Sequence, residues 1–212
     1  MIGIFVIWTL LIQCIDVKEA GESFTQVGFA SFNVWFHHLT GVHMMLYTIT
    51  DWLGLVPIMI CLFFGVFGLC QLVKRRSLLR VDGDILILGA YYILVIFIYL
   101  VFEMIPINYR PVLINGVAEA SYPSSTTLLV LSVMLTLKYQ TDRRSENTLV
   151  KHLITAFVIV FSAFMVIGRL VSGVHWVTDI VGSVLLSYSL FMFYCSAVKI
   201  INRRETIKDG VQ

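Results

Sequence analysis

The chain has 212 residues, with 15 Lys and Arg against 13 Asp and Glu, a formal net charge of +2, and a composition that is 58% hydrophobic but only 13% charged. Soluble domains are about 25% charged, so this composition, with its mean hydropathy of +0.89, excludes a soluble globular enzyme and a disordered chain. The near-balance of charge supplies no basic footprint for a nucleic-acid backbone, and long unbroken apolar runs exclude an outer-membrane barrel, whose strands alternate in hydrophobicity.

The expected fold class is therefore all-α: a polytopic membrane protein, one domain over residues 1–212, with six transmembrane helices and an interfacial helical segment. The first apolar stretch, Ile2–Val17, lacks a basic leader and a clear small-x-small cleavage site, so it is expected to be a retained span rather than a signal peptide. Next comes Glu22–Thr50, polar at its start and then rich in aromatics: Phe24, Phe29, Phe32, Trp35 and Phe36. It is expected to lie in the outer interface as one or two amphipathic helices. The remaining apolar stretches are Trp52–Val73, Ile85–Met104, Ser124–Leu137, His152–Val171 and Val174–Val198. Most approach the roughly 20 residues needed to cross a bilayer. Ser124–Leu137 is short, which is tolerable where its N-terminus lines a cavity inside the protein rather than facing lipid. Cys14, Cys61, Cys70 and Cys195 lie in or beside these stretches without metal-ligand spacing and read as small core hydrophobes.

Basic residues fall in alternate connections. Lys74, Arg75, Arg76 and Arg80 follow the second stretch, Lys138, Arg143, Arg144 and Lys151 follow the fourth, and Lys199, Arg203 and Arg204 follow the sixth. These connections should share the cytoplasmic side, with both termini. The opposite side then holds residues 18–51, the connection Glu103–Tyr122 and a tight turn at Gly173.

Ionisable residues inside apolar spans are costly and mark function. Arg169, His175 and Asp179 cluster at the junction of the last two stretches. A spacing of four would put His175 and Asp179 on one helical face, where Asp179 can accept the ring N–H, fix the tautomer and leave the other nitrogen free to attack. Arg110-Pro111 and Tyr122-Pro123-Ser124-Ser125-Thr126-Thr127 stand on the same predicted side. A helix N-terminus carrying serine hydroxyls, with Arg110 and Arg169 nearby, suits a phosphoryl group. The set fits phosphoryl transfer through a phosphohistidine. It fits zinc poorly, since no second or third nitrogen or sulfur ligand stands at helical spacing, and neither metal nor organic cofactor is expected.

Arg169–x5–His175–x3–Asp179 resembles the third signature of the type 2 phosphatidic acid phosphatase superfamily. Pro123-Ser124-Ser125-Thr126 resembles its second, usually Pro-Ser-Gly-His or Pro-Ser-Ser-His, and Glu103–x6–Arg110-Pro111 its first, usually Lys–x6–Arg-Pro. The resemblance implies a metal-independent membrane lipid phosphatase; the basic connections put its site on the extracytoplasmic side, and the short length, with no appended domain expected, favours a bacterial plasma membrane. Its substrate would be a lipid phosphate or pyrophosphate of the phosphatidic acid, phosphatidylglycerol phosphate or isoprenoid pyrophosphate type. His175 would be the nucleophile and Asp179 its partner, while Arg110, Ser124 and Arg169 would hold the phosphate; the helix N-terminus adds Ser125 to the expected phosphate-binding residues.

Two positions depart from the pattern. Glu103 replaces a lysine, and a carboxylate there is better suited to orienting Arg110 or another cation than to touching phosphate. Thr126 replaces the histidine that protonates the leaving group, and loss of a positioned acid typically costs about 10²–10⁴ in rate. Three explanations of Thr126 stand open: an engineered inactive variant, a natural preference for pyrophosphates, or replacement by His37, His38 or His43. A lipid phosphotransferase and a non-catalytic lipid-phosphate binder or transporter also remain open, as do the headgroup, the acyl chains and the oligomeric state.

Overall fold

The computed structural model describes residues 1–209. Its elements in chain order are α1 (Ile2–Cys14), β1 (Lys18–Ala20), β2 (Thr25–Val27), α2 (Ala30–Thr40), α3 (Met44–Leu53), α4 (Leu55–Arg75), α5 (Gly83–Met104), α6 (Ser125–Arg144), α7 (Thr148–Val171) and α8 (Val177–Asp209). The architecture is all-α apart from a small antiparallel pair, β1 on β2, that pairs Lys18 with Val27 and Ala20 with Thr25. Arg204, counted in the C-terminal basic group, has its side chain outside the described residues.

Among the described residues, four segments are long and apolar enough to cross a membrane: Met44–Arg75, which joins α3 to α4 through Gly54, then Gly83–Met104, Thr148–Val171 and Val177–Ile201. The other two stretches expected to span depart for different reasons. The 13 residues of α1 reach about 20 Å at 1.5 Å per residue, short of a hydrocarbon core of about 30 Å. With 20 residues, α6 is long enough but is the polar helix at the centre of the bundle, packed against α4, α5, α7 and α8. Its buried Thr136 hydroxyl meets the Tyr92 hydroxyl at 2.9 Å, and Gln140 Nε2 donates to the Tyr194 hydroxyl at 2.7 Å. Surrounded by protein, α6 needs no apolar surface of its own.

The large apolar side chains left exposed, among them Phe63 and Val66 on α4, Ile93 and Phe97 on α5, and Ile159 and Val160 on α7, form the outer surface of the bundle. Cys14 and Cys70 lie exposed there, not in the core. Between α6 and α8 the contact is made by small hydroxyls: Ser183 Oγ donates to the Ser124 carbonyl at 3.0 Å and Ser187 Oγ to the Leu128 carbonyl at 3.3 Å. Small residues let helix backbones approach closely, and the hydroxyls satisfy polar groups across the seam.

The expected interfacial segment is two helices, α2 and α3, preceded by the β1–β2 hairpin, which the aromatic pattern did not indicate. This segment gathers with the α5–α6 connection and the α7–α8 turn at one end of the bundle. Asn33 Nδ2 of α2 donates to Thr178 Oγ1 at 3.0 Å, and the His43 amide donates to the Ser172 carbonyl at 2.9 Å. Gly173, at φ +72°, is required here: a Cβ would sit 2.1 Å from the Gly41 carbonyl oxygen. Its left-handed backbone and missing side chain let the α7–α8 turn close against the α2–α3 link.

Candidate active site

The polar residues at that end are built on three segments. The first is the α5–α6 connection, which folds back on itself. The Arg110 amide donates to the Glu119 carbonyl at 3.1 Å, Tyr109 bridges Ala120, and Asn115-Gly116 turn with φ of +53° and +78° between Ile114 and Val117. Two consecutive positive φ values at Asn-Gly make the tight turn that joins antiparallel segments. The second is the α7–α8 turn, and the third is α3.

Asp179 accepts three hydrogen bonds: from Asn108 Nδ2 at 3.1 Å, from Ser121 Oγ at 2.5 Å and from the Trp176 amide at 3.0 Å. The last has a local cause. Helix α8 starts at Val177, so Asp179 is its third residue and reaches back to the exposed N–H at the residue before the helix, one half of a capping box. His175 precedes the helix. The helical spacing argument therefore fails, and Asp179 does not receive the His175 ring N–H directly, as expected from sequence. Ser121 stands between them, its Oγ 3.1 Å from His175 Nδ1. Trp176 is pinned in turn by Nε1 donating to the Tyr109 carbonyl at 2.8 Å.

Arg169 is buried in α7, 1% exposed, with Nη1 3.4 Å from Thr50 Oγ1 and 3.8 Å from an Asp51 carboxylate oxygen. Buried Arg110 has Nε 3.2 Å from Glu119 Oε2, an ion pair without hydrogen-bond alignment. Glu119, not Glu103, is thus the carboxylate beside Arg110. The fold-back of the α5–α6 connection brings residue 119 opposite residue 110, whereas Glu103 stays on the last turn of α5. The Tyr47 ring of α3 lies against both arginines, its centroid 4.8 Å from the Arg169 guanidinium carbon and 5.7 Å from that of Arg110. Such contacts hold guanidinium groups by the ring's quadrupole without consuming their N–H groups.

Four buried polar atoms in this cluster have no hydrogen-bond partner: Arg110 Nε and Nη1, Arg169 Nε and His175 Nε2. Buried polar groups are normally satisfied, and three of these four are donors on cations. An anion is the ligand that would satisfy them. Burial, and then the Arg110 and Arg169 charges, hold the His175 imidazole well below its ordinary range, so the ring is neutral and keeps a lone pair for attack. Among the described residues no group of three or more His, Cys, Asp or Glu side chains is arranged to hold a metal.

Ser125, Pro123, Glu103, Tyr99 and His175 line one small cavity. Ser124 caps α6 and is fully buried, its hydroxyl donating to Thr127 Oγ1 at 3.1 Å and its amide to the Asp179 carbonyl at 3.5 Å, so Ser125, which lines the cavity, is the residue of this helix end open to a ligand. Thr126 lines a separate apolar cleft of about 470 Å³ between α4 and α5, together with Asp51, Tyr99, Ser125 and Ile58. Ser125 and Tyr99 line both, so the two spaces adjoin. His37, His38 and His43 line neither: His37 packs its ring 5.7 Å from the Trp176 ring, and His43 Nε2 meets the Thr40 carbonyl at 2.8 Å. Ser121, Asn108, Tyr47 and Glu119 belong to the site and were not indicated by motif. Asn115-Gly116 was the one sequence signal able to pair Glu119 with Arg110.

The family model of the PAP2 superfamily matches residues 84–203, more than half of the chain. The chain belongs to the PAP2 superfamily. Its fold resembles that in the crystal structure of the first transmembrane PAP2-type phosphatidylglycerolphosphate phosphatase from Bacillus subtilis, with a TM-score of 0.65 over 96% of each chain at 16% identity. No curated protein sequence matches the chain significantly. The likeness to a transmembrane fold and the four apolar helices identify this PAP2 chain as an integral membrane protein.

Proposed function

We propose that the protein is a lipid phosphatase that cleaves a lipid phosphate or pyrophosphate at the extracytoplasmic membrane edge through a phosphohistidine on His175. The observation that carries this reading is the set of unpartnered buried nitrogens on Arg110, Arg169 and His175. They supply two cations and a nucleophile for one phosphoryl group. In this reading α1 and α6 complete a six-helix membrane domain, and the basic connections and both termini face the cytoplasm of a bacterial cell.

The lone pair of His175 Nε2 forms the P–N bond as the P–O bond to the leaving group breaks. Arg110, Arg169 and the amide end of α6 at Ser125 hold the equatorial oxygens, where charge develops. Water then attacks phosphorus, the P–N electron pair returns to Nε2, and the water proton leaves with phosphate or to solvent. The apolar cleft beside Thr126 has the size and lining of a ligand pocket and supports a substrate with an apolar chain.

Threonine cannot protonate a leaving alkoxide, so a pyrophosphate, whose leaving phosphate departs as a stable anion, is the better substrate. The test is phosphate release from a lipid monophosphate and a lipid pyrophosphate by the unaltered chain, Thr126→His and His175→Ala/Thr126→His. Thr126→His should raise monophosphate turnover more than pyrophosphate turnover, and the double variant should be inactive. An active double variant removes His175 as nucleophile. Thr126 also favours a second reading, a non-catalytic lipid-phosphate binder, which measurable hydrolysis by the unaltered chain would remove.

A further inference from the structure

His175 and Asp179 do not touch, and the residue between them has one proton to give. Ser121 is buried, and its Oγ lies 2.5 Å from Asp179 Oδ2 and 3.1 Å from His175 Nδ1. An ionised carboxylate only accepts, and a hydroxyl donates once while accepting twice. The Ser121 proton therefore points at Asp179, and the hydroxyl can meet His175 Nδ1 only as an acceptor. Nδ1 must then carry the ring proton, and Nε2, which has no partner, is bare.

We propose that Ser121 is a positioning residue that fixes the attacking tautomer of His175, relaying the orienting effect of Asp179 across a hydroxyl bridge. The proposal rests on the phosphatase reading for its kinetic consequence but not for its geometry. When Nε2 bonds to phosphorus the ring becomes cationic. Its Nδ1–H stays in place, and the Ser121 oxygen, polarised by Asp179, faces the new charge; no proton changes position. Three further contacts hold the bridge: the Ser121 amide donates to the Asn108 carbonyl at 2.8 Å, and Asn108 Nδ2 and the Trp176 amide donate to the same carboxylate at 3.1 and 3.0 Å. Asp179 is thereby fully engaged and aimed at Ser121.

The experiment is nitrogen NMR on full-length protein labelled with ¹⁵N-histidine, in detergent or lipid, with His175 assigned by difference against His175→Gln. The expected spectrum has a protonated Nδ1 and an unprotonated Nε2. A proton on Nε2 in the unaltered protein overturns the proposal without any variant. Free histidine favours the Nε2–H form, so Ser121→Ala should shift His175 toward it, and Ser121→Thr should restore the bare Nε2. In turnover, Ser121→Ala should lower kcat by about 10- to 100-fold with KM unchanged. That is less than the roughly 10⁴-fold lost when a triad histidine is locked in the wrong tautomer, because alanine frees the ring rather than inverting it. A Ser121→Ala protein with the same tautomer and the same kcat, or with a changed KM alone, refutes the positioning role. A protein with the expected tautomer that hydrolyses no lipid phosphate or pyrophosphate sinks the phosphatase reading and leaves the bridge standing.

Discussion

The two ends of the helical bundle each hold a charged cluster, half-exposed around a buried Asp84 at one end and buried at the other, and the clusters are satisfied to different degrees. At the end where α5 begins and α6 finishes, Asp84 accepts both oxygens' worth of hydrogen bonds from Arg144 Nη2 at 2.8 Å. Asp82 there pairs with Arg75 at 2.7 Å and Arg144 at 3.1 Å, while Gln71 donates to Asp82 and Gln140 accepts from Arg144 Nε. At the other end Arg110, Arg169 and His175 keep buried nitrogens without partners. Both ends cost desolvation. The first recovers it within the protein, which makes it a latch tying α4, α5 and α6. The second recovers part of it from Glu119, Asp51 and Thr50 and leaves buried nitrogens that an anion would satisfy. Satisfaction, more than the presence of charge in a span, separates a structural cluster from a candidate site.

The largest test of that contrast is a crossed pair of substitutions. His175→Gln should lower turnover on the order of 10⁴-fold or more, as loss of a nucleophile does, while leaving thermal stability in detergent unchanged or raised. Asp84→Asn should do the reverse. Arg144 is half-buried, so breaking its pair with buried Asp84 costs less than the roughly 3–5 kcal/mol of a fully buried pair, and the melting temperature should fall while the protein that remains folded keeps its turnover. Equal stability losses in the two variants would mean that the ends do not differ in kind.

Ligand-dependent stability gives a smaller effect. Inorganic phosphate or vanadate at 100 times its Kd should stabilise the protein by about 2.7 kcal/mol, read as a shift in melting temperature. Arg169→Gln should abolish the shift, and Arg144→Gln should lower the starting stability but preserve it. A shift that survives Arg169→Gln would move the anion away from the proposed site.

Much of this arrangement was legible in the sequence, and what was missed has a physical pattern. Arg169, His175 and Asp179 were singled out because they are ionisable groups in apolar stretches, where each needs a reason, and Arg110 and Ser125 because a cation and a hydroxyl-bearing helix N-terminus suit a phosphoryl group. Tyr47 was missed because an aromatic in a segment expected at the interface is ordinary, and its place beside both guanidinium groups depends on how α3 packs on α7. Ser121 was missed because the spacing of His175 and Asp179 suggested a helix that begins only at Val177. The two-residue shift in helix start opens the gap that the hydroxyl fills. The polarity of α6 likewise misleads a reading by hydropathy, since its neighbours are helices rather than lipid. The basic connections did anticipate which residues collect at which end of the bundle, because a span that crosses carries its flanking residues to alternate ends.

Acid should separate the two ends along the pH axis, with the smallest effect per step. At the site, burial and then the two arginine charges depress His175 below its ordinary value. The unfolded chain therefore binds a proton at about pH 6.5 that the folded protein refuses, and stability falls as pH drops below that value, by up to about 1.4 kcal/mol per pH unit. At the latch, burial would raise the Asp82 carboxyl, but hydrogen bonds from Arg75, Gln71 and Arg144 hold it below the usual carboxylate range. Its contribution is complete above the unfolded value of about 3.9 and is lost only as pH falls below it toward the folded value. Burial, and then the neighbouring His38, also depress His37, so urea or thermal unfolding between pH 7 and 5 should show a slope that His175→Gln reduces, that His37→Gln reduces independently and that Asp82→Asn leaves in place. A slope that His175→Gln leaves unchanged in a His37→Gln background would show that the His175 imidazole is not a group refusing the proton, and would remove the buried neutral imidazole from the site.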